Sequence, residues 1–344
     1  MRFARILVVL FAVATIGACS NRDQALHKNN DAGPDVAGPD LQWIGVDLVG
    51  NGAGECAPQV LQVPDGVVPA GWNETPFELV FSPNEQFLAA RLGANPNIWI
   101  GRLSDNTWRS VVPPVDPTCL KTVFRFRFFP DGQTFAAEYC GGSLAVWNEN
   151  QVGSFHSLGT VASYAVSPDG RLVATSAATQ VSFFNSGDGS LVKSFDERHA
   201  AVVEFAPGGD ILVTGGDDST VRLLDVASGA EIVALPATNL TWKLAVSRDG
   251  RFLGAMTHTG VLEVWRMADY QRVGALSLDP QSPDFALTAD GRFVVTSGAQ
   301  LSIYGTDNLS LVSQLGDLTY AVAVSPSGKV AASQSGNRIV IYCL

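Results

Sequence analysis

The chain has 344 residues, with 22 Lys and Arg against 33 Asp and Glu, and its formal net charge is −11. This acidic balance argues against nucleic acid as a partner, because phosphate binding needs a basic surface. It also argues against electrostatic attraction to anionic lipid head groups.

The first 18 residues have the pattern of a secretory signal peptide. Arg2 and Arg5 precede an apolar run of 11 residues, Ile6 to Ile16. A membrane-spanning helix needs about 20 apolar residues, so this run is too short to span a bilayer. Small residues follow it, which is typical of a cleavage site. We therefore predict a signal peptide over residues 1–18.

The end of that segment, IGAC, resembles a bacterial lipobox, although Gly17 stands where Ala or Ser is preferred. The resemblance implies that Cys19 is acylated and becomes the mature N-terminus, which removes Arg2 and Arg5 and takes the net charge from −11 to −13. Ser20 follows Cys19 where an Asp would resemble an inner-membrane retention signal, so the outer membrane is favoured. The alternative is an ordinary signal peptide with an incidental Cys.

Residues 19–55 are predicted to be a lipidated N-terminus and a flexible tether. The segment is polar and contains the sequence GPDVAGPD. Such a composition cannot form a hydrophobic core.

Residues 56–344 contain seven copies of one pattern, in which an apolar strand enters a turn similar to Ser-Pro-Asp-Gly and a second apolar strand follows. Successive turn centres are 47, 38, 39, 41, 41 and 37 residues apart; they are Pro83, Pro130, Pro168, Pro207, Arg248, Ala289 and Pro326. Periods near forty with several short strands are typical of propeller blades. We predict an all-β, seven-bladed propeller. The alternative is a β-sandwich with coincidental turns.

Within each copy, the residues two and four before the turn centre are apolar, which is a strand pattern. The residue between them is usually small, as at Ala165 and Ala245. Arg127 and Glu204 occupy that position in the second and fourth copies. We expect these two side chains to be partly hydrated or paired with each other.

The third strand of a copy typically ends in an aromatic or apolar residue followed by a second, usually polar residue, as at Trp147-Asn148. The segment GGDDSTVRLLD at 215–225 is similar to a WD repeat. The chain therefore resembles degenerate WD repeats over residues 57–344. The fourth copy keeps Thr214 and Asp218 of the buried polar network that such repeats often hold. Leu224 replaces the Trp, His199 lies too near the strand to match the His, and Gly101 occupies the Trp position of the first copy. Lactonase-like and Tol-system propellers share the turn, so the subfamily stays open.

The last copy ends after its third strand, so its fourth strand is expected from Gln59–Val63. This closure removes an open seam. In an exported, oxidising setting, strand directions then predict the disulfides Cys56–Cys343 and Cys119–Cys140. A Cys56–Cys119 bond would instead indicate that Leu41–Val49 closes the ring. No Cys pair has CxxC spacing and no His lies near one, so we expect no metal at these residues.

Catalytic motifs are absent from the sequence: it contains no GxSxG, HExxH or GxxxxGK[ST]. The four histidines, His27, His156, His199 and His258, lie in the tether and on three different blades. Asp217-Asp218 fits a tight turn better than a calcium loop. We therefore expect no enzymatic activity, no cofactor and no metal.

Mixed charges recur five residues before the turn centres, where the inner strands begin at one end of the central channel. The seven residues are Glu78, Arg125, Ser163, Val202, Lys243, Asp284 and Ala321. Trp242 and Tyr320 flank them, six residues before their turn centres. Because this position is outside the alternating core positions, we expect both side chains to lie at the surface. Aromatic and Arg side chains are enriched at interfaces, so this ring predicts a site for a polar or peptide-like partner. The alternative is that the charges only hydrate the mouth of the channel.

These patterns favour a non-enzymatic, monomeric propeller scaffold that is tethered to the bacterial envelope by lipid and binds a protein partner. The alternative is an envelope hydrolase or lactonase-like enzyme acting at the top of the channel. That enzyme would need several inward carboxylates around one metal. Calorimetry with divalent metals would distinguish the two.

Overall fold

The computed structural model describes residues 58–62, 76–92, 98–111, 123–139, 142–148, 156–177, 179–197, 199–278, 284–316, 318–334 and 338–343. All described strands belong to one compact unit, residues 52–344. The described residues contain 28 β-strands and no α-helix. In this part of the chain, accordingly, no helix has the length and hydropathy of a membrane span.

The strands form seven four-stranded antiparallel sheets, which are the blades. The innermost strands of blades 1 to 7 are β2 (Pro76–Phe81), β6 (Val123–Phe128), β10 (Ser163–Val166), β14 (Val202–Phe205), β18 (Thr241–Val246), β22 (Phe285–Leu287) and β26 (Thr319–Val324). The second strands are β3 (Phe87–Leu92), β7 (Thr134–Tyr139), β11 (Leu172–Ala177), β15 (Ile211–Gly215), β19 (Phe252–Thr257), β23 (Phe293–Thr296) and β27 (Lys329–Gln334).

The outer half of each blade completes the sheet. The third strands are β4 (Ile98–Arg102), β8 (Ser143–Asn148), β12 (Gln180–Asn185), β16 (Thr220–Asp225), β20 (Val261–Arg266), β24 (Leu301–Gly305) and β28 (Arg338–Cys343). The outermost strands are β5 (Thr107–Val111), β9 (His156–Thr160), β13 (Leu191–Asp196), β17 (Glu231–Pro236), β21 (Arg272–Ser277), β25 (Leu311–Leu315) and, in blade 7, β1 (Gln59–Gln62). The predicted seven-bladed propeller is confirmed.

The turn between the first and second strands is built by its own side chains. In blade 3, the amide of Leu172 donates to Ser167 Oγ at 2.9 Å, and the amide of Arg171 donates to Asp169 Oδ1 at 3.0 Å. Gly170 has a φ of 72°, a left-handed conformation that favours glycine. These bonds and this backbone geometry explain why the Ser-Pro-Asp-Gly pattern recurs at each hairpin.

The hydrophobic core is divided among the junctions between blades. In each of the six core clusters, side chains of two neighbouring blades meet. At the junction of blades 1 and 2, for example, Ile98 and Ile100 pack with Phe126 and Phe135. Blades 1 to 5 thus bury both faces against their neighbours, which one isolated sheet cannot do.

The ring closes as the sequence predicts. Strand β1 pairs antiparallel with β28, and Val60 lies opposite Val340. Cys343, at the end of β28, is disulfide-bonded. Its expected partner Cys56 lies outside the described residues, so this pairing stays a prediction. The other expectations that lie outside the described residues concern the signal peptide 1–18, Cys19, the tether 19–55 and the pair Cys119 and Cys140.

Candidate binding site at the mouth of the channel

The mouth of the channel is defined here by the seven residues five positions before the turn centres. The fold places each of them within the first three residues of an inner strand or directly before it. Ser163, Val202 and Ala321 are buried. Glu78, Lys243 and Asp284 are partly buried, and Arg125 keeps 30% of its side-chain surface exposed. The predicted ring of mixed charges is therefore present, although much of it points into the junctions between blades.

Several mouth side chains satisfy backbone groups of the next blade. An innermost strand has one edge without a partner strand, so its outward N–H groups need other acceptors. Glu78 Oε2 accepts the amide of Phe126 at 3.2 Å, and Asp284 Oδ2 accepts the amide of Val322 at 2.9 Å. These two carboxylates thus link blade 1 to blade 2 and blade 6 to blade 7.

The mouth at blades 1 and 2 holds a group of five charged side chains that we name the guanidinium cluster: Glu78, Arg91, Arg125, Arg127 and Glu138. Arg127 Nη1 donates to Glu78 Oε1 at 2.6 Å, and Arg91 Nε lies 3.7 Å from Glu78 Oε2. Arg125 Nη1 donates to Ser163 Oγ of blade 3 at 2.6 Å, and Arg125 Nε lies 3.9 Å from Glu138 Oε2. The cluster therefore contains three cations and two carboxyl groups.

Glu138 is a weaker acid than an ordinary glutamate. Burial raises the pKa of Glu138 to about 7; Arg125 opposes the shift and Glu78 adds to it. Among the described residues, its buried Oε2 has no hydrogen-bond partner. A carboxylate without donors is poorly stabilised in its charged form. Near neutral pH the cluster is therefore net positive, although the whole protein is acidic.

The mouth at blades 5 and 6 is arranged differently. Lys243 Nζ pairs with Asp284 Oδ1, and its ammonium lies 5.3 Å from the centre of the Phe285 ring. Asp284 also accepts the amides of Phe285 and Val322. One cation and one carboxylate are matched here, and the carboxylate has further donors.

A cavity of about 210 Å³ lies along the inner strands, and its charged lining consists of Arg127, Glu204 and Lys243. The other lining residues include Phe285 and Val322, whose side chains are buried, and the surface of the cavity is more polar than apolar. Burial raises the pKa of Glu204, and Arg127 and Lys243 offset this only in part. The expected pairing of Arg127 with Glu204 is not found, because Arg127 bonds to Glu78 instead.

Burial opposes the charge of Arg127, but Glu78 and further neighbours outweigh it, so its pKa lies above the ordinary value. This arginine therefore stays charged beside the cavity. Its side chain is 37% exposed, which agrees with the expectation of partial hydration.

The structure corrects the expectation that Trp242 lies outside the core. Trp242 is partly buried against the blade 5–6 cluster, which includes Met256 and Phe285. Its Nε1–H donates to the carbonyl of Thr257 at 3.1 Å. Tyr320 is also partly buried. Trp242 thus supports the fold as well as bordering the mouth.

Two exposed leucines precede the inner strands of blades 5 and 7 and were not predicted from the sequence. Leu240 is 37% exposed and Leu318 is 41% exposed. They lie two residues before Trp242 and Tyr320. These two side chains add exposed apolar area beside the charged mouth.

In the fourth WD-like copy, the polar side chains form two pairs. His199 Nδ1 lies 2.7 Å from Asp217 Oδ1, and Arg222 Nη2 donates to Asp218 Oδ2 at 2.5 Å. In blade 1, the Trp108 ring covers Gly101: a Cβ at Gly101 would lie 2.7 Å from it. A Trp on the neighbouring strand thus fills the space of the missing Trp.

In the described ranges, no group of three His, Cys, Asp or Glu side chains could hold a metal ion. His199 and His258 lie on different blades, whereas His27 lies outside the described residues.

Arg91 and Glu138 are the cluster residues that sequence reasoning missed. Each lies on a second strand, directly opposite a mouth residue: Arg91 opposite Glu78, and Glu138 opposite Arg125. The turn fixes this register, since it pairs the residue five before its centre with the residue eight after it. The signal was therefore available from the hairpin spacing.

The protein is thus a seven-bladed β-propeller with a charged channel mouth, and its similarity to known proteins agrees with that class. The family described as "WD domain, G-beta repeat" matches residues 179–225, which include the two outer strands of blade 3 and the first three strands of blade 4. The chain is 21% identical over 245 residues to "WD repeat-containing protein 3 homolog" of Dictyostelium discoideum, covering 65% of this chain and 26% of that protein. It is 29% identical over 110 residues to "Meiotic recombination protein rec14" of Schizosaccharomyces pombe, covering 30% of this chain and 36% of that protein. The chain therefore matches only about a third or less of these relatives.

Proposed function

We propose that this protein is a non-enzymatic propeller scaffold that binds a protein partner through the mouth of its channel. The observation that carries the proposal is the WD-type propeller whose mouth combines a net positive cluster with exposed leucines. WD-repeat propellers are similar in architecture to this chain and are typically interaction scaffolds rather than enzymes. The mouth residues Glu78, Arg125, Trp242, Lys243, Asp284 and Tyr320 form the proposed binding face.

The test compares the two ends of blade 5 by photo-crosslinking. A photo-crosslinking amino acid at Leu240 lies at the mouth, and the same amino acid at exposed Arg248 lies at the turn end of blade 5. Irradiation of the full chain in envelope extracts should give one discrete adduct from position 240 and none from position 248. Adducts of equal yield from both positions, or from position 248 alone, would contradict a binding face at the mouth.

The proposed location is the bacterial cell envelope, where lipid on Cys19 holds the monomeric propeller to a membrane, with the outer membrane favoured. The support is the sequence pattern of residues 1–20. Mass spectrometry of the mature N-terminus should find an acylated Cys19, and Cys19→Ser should give a soluble or uncleaved protein. An unmodified N-terminus at another residue in the wild type would disprove the anchor.

A further inference from the structure

The turn between the first and second strands of blade 1 has a glutamate where the other six blades have glycine. Six turns have a glycine two residues after the turn centre, with φ between 64° and 90°: Gly132, Gly170, Gly209, Gly250, Gly291 and Gly328. Blade 1 has Glu85 at this position, with a φ of 55°. This left-handed conformation is unfavourable for a residue with a Cβ, whereas glycine adopts it freely. The backbone at Glu85 is therefore strained.

The side chain of Glu85 reaches the corresponding turn of blade 7. Its Oε1 accepts the backbone N–H of Ser327, and its Oε2 accepts the hydroxyl of Ser327 at 2.5 Å. Lys329 Nζ lies 3.9 Å from the same Oε2. Burial alone would raise the pKa of Glu85, but the bonds from Ser327 and the charge of Lys329 outweigh burial and lower it. The carboxylate is therefore charged near neutral pH and accepts two charge-assisted bonds from one residue.

At other junctions, the turn glycine lies directly against the turn of the preceding blade. A Cβ at Gly170 would lie 3.1 Å from Pro130, and one at Gly291 would meet Asp249 at 2.7 Å. The amide of Asp249 donates to the carbonyl of Ala289 at 3.0 Å, so these two turns are joined through their backbones. Glycine leaves room for such close approaches. The junction of blades 7 and 1 has a bonded carboxylate in place of the glycine.

This junction is also where distant parts of the chain meet to close the ring. Strand β1 completes blade 7 by pairing with β28, on the outer side of the ring. Ser327 lies in the turn between β26 and β27, the two inner strands of the same blade. Glu85 and Ser327 are 242 residues apart in the chain. Their contact therefore joins blades 1 and 7 on the inner side of the ring.

We propose that Glu85 is a latch that closes the ring a second time, fastening blade 1 to blade 7 on the inner side while β1 completes blade 7 on the outer side. The two bonds to Ser327 offset the strain of the left-handed backbone. A glutamate that only occupied the turn would be replaced by glycine with no loss, because glycine relieves that strain. Glycine at position 85 therefore separates a latch from an ordinary turn residue. This role is independent of what the mouth binds.

Urea unfolding of the full chain compares Glu85→Gly with the matched variant Ser219→Gly. Ser219 is also left-handed, with a φ of 57°, and none of the described residues bonds to its hydroxyl. Ser219→Gly should change the equilibrium constant for unfolding by no more than about threefold. Glu85→Gly gains the same backbone relief but loses the latch, so it should raise that constant by at least about tenfold. A Glu85→Gly variant as stable as the wild type would overturn the proposal.

A double-mutant cycle tests whether the effect acts between the two blades. Ser327→Ala removes the hydroxyl donor and should raise the unfolding constant about fivefold in the wild type. In the Glu85→Gly background the same change should have an effect below about twofold, since its acceptor is already gone. If Glu85→Gly does not fold, Glu85→Gln takes its place, and Ser327→Ala should again have a smaller effect than in the wild type. Equal effects of Ser327→Ala in both backgrounds would refute the latch.

Discussion

On both charged sides of the mouth, side chains link neighbouring blades, but the two sides differ in their balance of cations and carboxyl groups. At blades 5 and 6, Lys243 and Asp284 are matched one to one, and Asp284 also accepts two amides. At blades 1 and 2, three guanidinium groups share two carboxyls, one of which has its pKa raised to about 7. The Lys243–Asp284 pair is the matched side of the mouth, and its groups hold neighbouring blades together. The guanidinium cluster is the unmatched side: it also holds blades together, but its cations outnumber its carboxyl groups.

The largest expected effect comes from removing the carboxylate on which the unmatched side depends. Glu78→Ala leaves the Phe126 amide without its acceptor and Arg127 without its counter-charge, which should cost about 3 kcal/mol of unfolding free energy. Lys243→Ala leaves Asp284 with its two amide donors and should cost about 1 kcal/mol. Urea unfolding measures both. Equal losses would mean that the two sides do not differ as described.

The second effect is a pH dependence that belongs to the unmatched side. The folded pKa of Glu138, about 7, exceeds its ordinary value of 4.5. Its contribution to stability is therefore fully present below pH 4.5 and is lost as the pH rises through about 7. The loss is at most about 3 kcal/mol.

Comparing the free energy of unfolding at pH 5 and pH 8 tests this pH dependence. The charged or titratable groups that face Glu138 are Arg125, Arg127, Arg91, Glu78 and Tyr164. The decrease from pH 5 to pH 8 should be smaller in Glu138→Gln than in the wild type. Because burial also raises the pKa of Glu204, Glu204→Gln serves as the control that separates the two acids. A Glu138→Gln variant with the full wild-type slope would refute the assignment.

A third effect tests how far the matched side relies on apolar packing. Trp242→Ala removes a ring that packs on the blade 5–6 cluster and should cost about 2 kcal/mol, less than a fully buried Trp. Trp242→Phe keeps an aromatic ring and loses only the bond to the Thr257 carbonyl, so about 1 kcal/mol is expected. Thermal unfolding of both variants, and of Tyr320→Ala for comparison, gives the order of their stabilities. A neutral Trp242→Ala would place this side chain outside the core.

The smallest effect concerns the link from blade 2 to blade 3. Ser163→Ala removes the acceptor of Arg125 Nη1 and should cost about 1 kcal/mol. Urea unfolding of this variant and the wild type measures the loss. An unchanged free energy of unfolding would show that the Arg125–Ser163 bond does not stabilise the junction of blades 2 and 3.

The sequence alone predicts the fold because each blade carries its own signals. The spacing of the turns, the apolar alternation and the unpaired last copy suffice to place even the closing strand Gln59–Gln62. The side-chain bonds at the mouth are harder to predict from the sequence, because whether Arg127 pairs with Glu78 or Glu204 depends on how neighbouring blades are offset. Packing between sheets sets that offset, and no local sequence pattern predicts it. Trp242 was misjudged for the same reason, because its neighbour Phe285 belongs to the next blade.

The closing sheet makes completion of the chain a condition for burying the first blade. Leu61 from β1 and Ile339 from β28 pack in one cluster with Leu79 and Phe81 of blade 1. During synthesis or transport these two strands become available at opposite times, so blade 1 keeps an apolar face uncovered until the last strand arrives. Non-local pairing of this kind is slow, and exposed apolar surface is what chaperones and proteases recognise. The seam therefore acts as a check on length, because a chain that ends before β28 leaves an apolar face of blade 1 exposed.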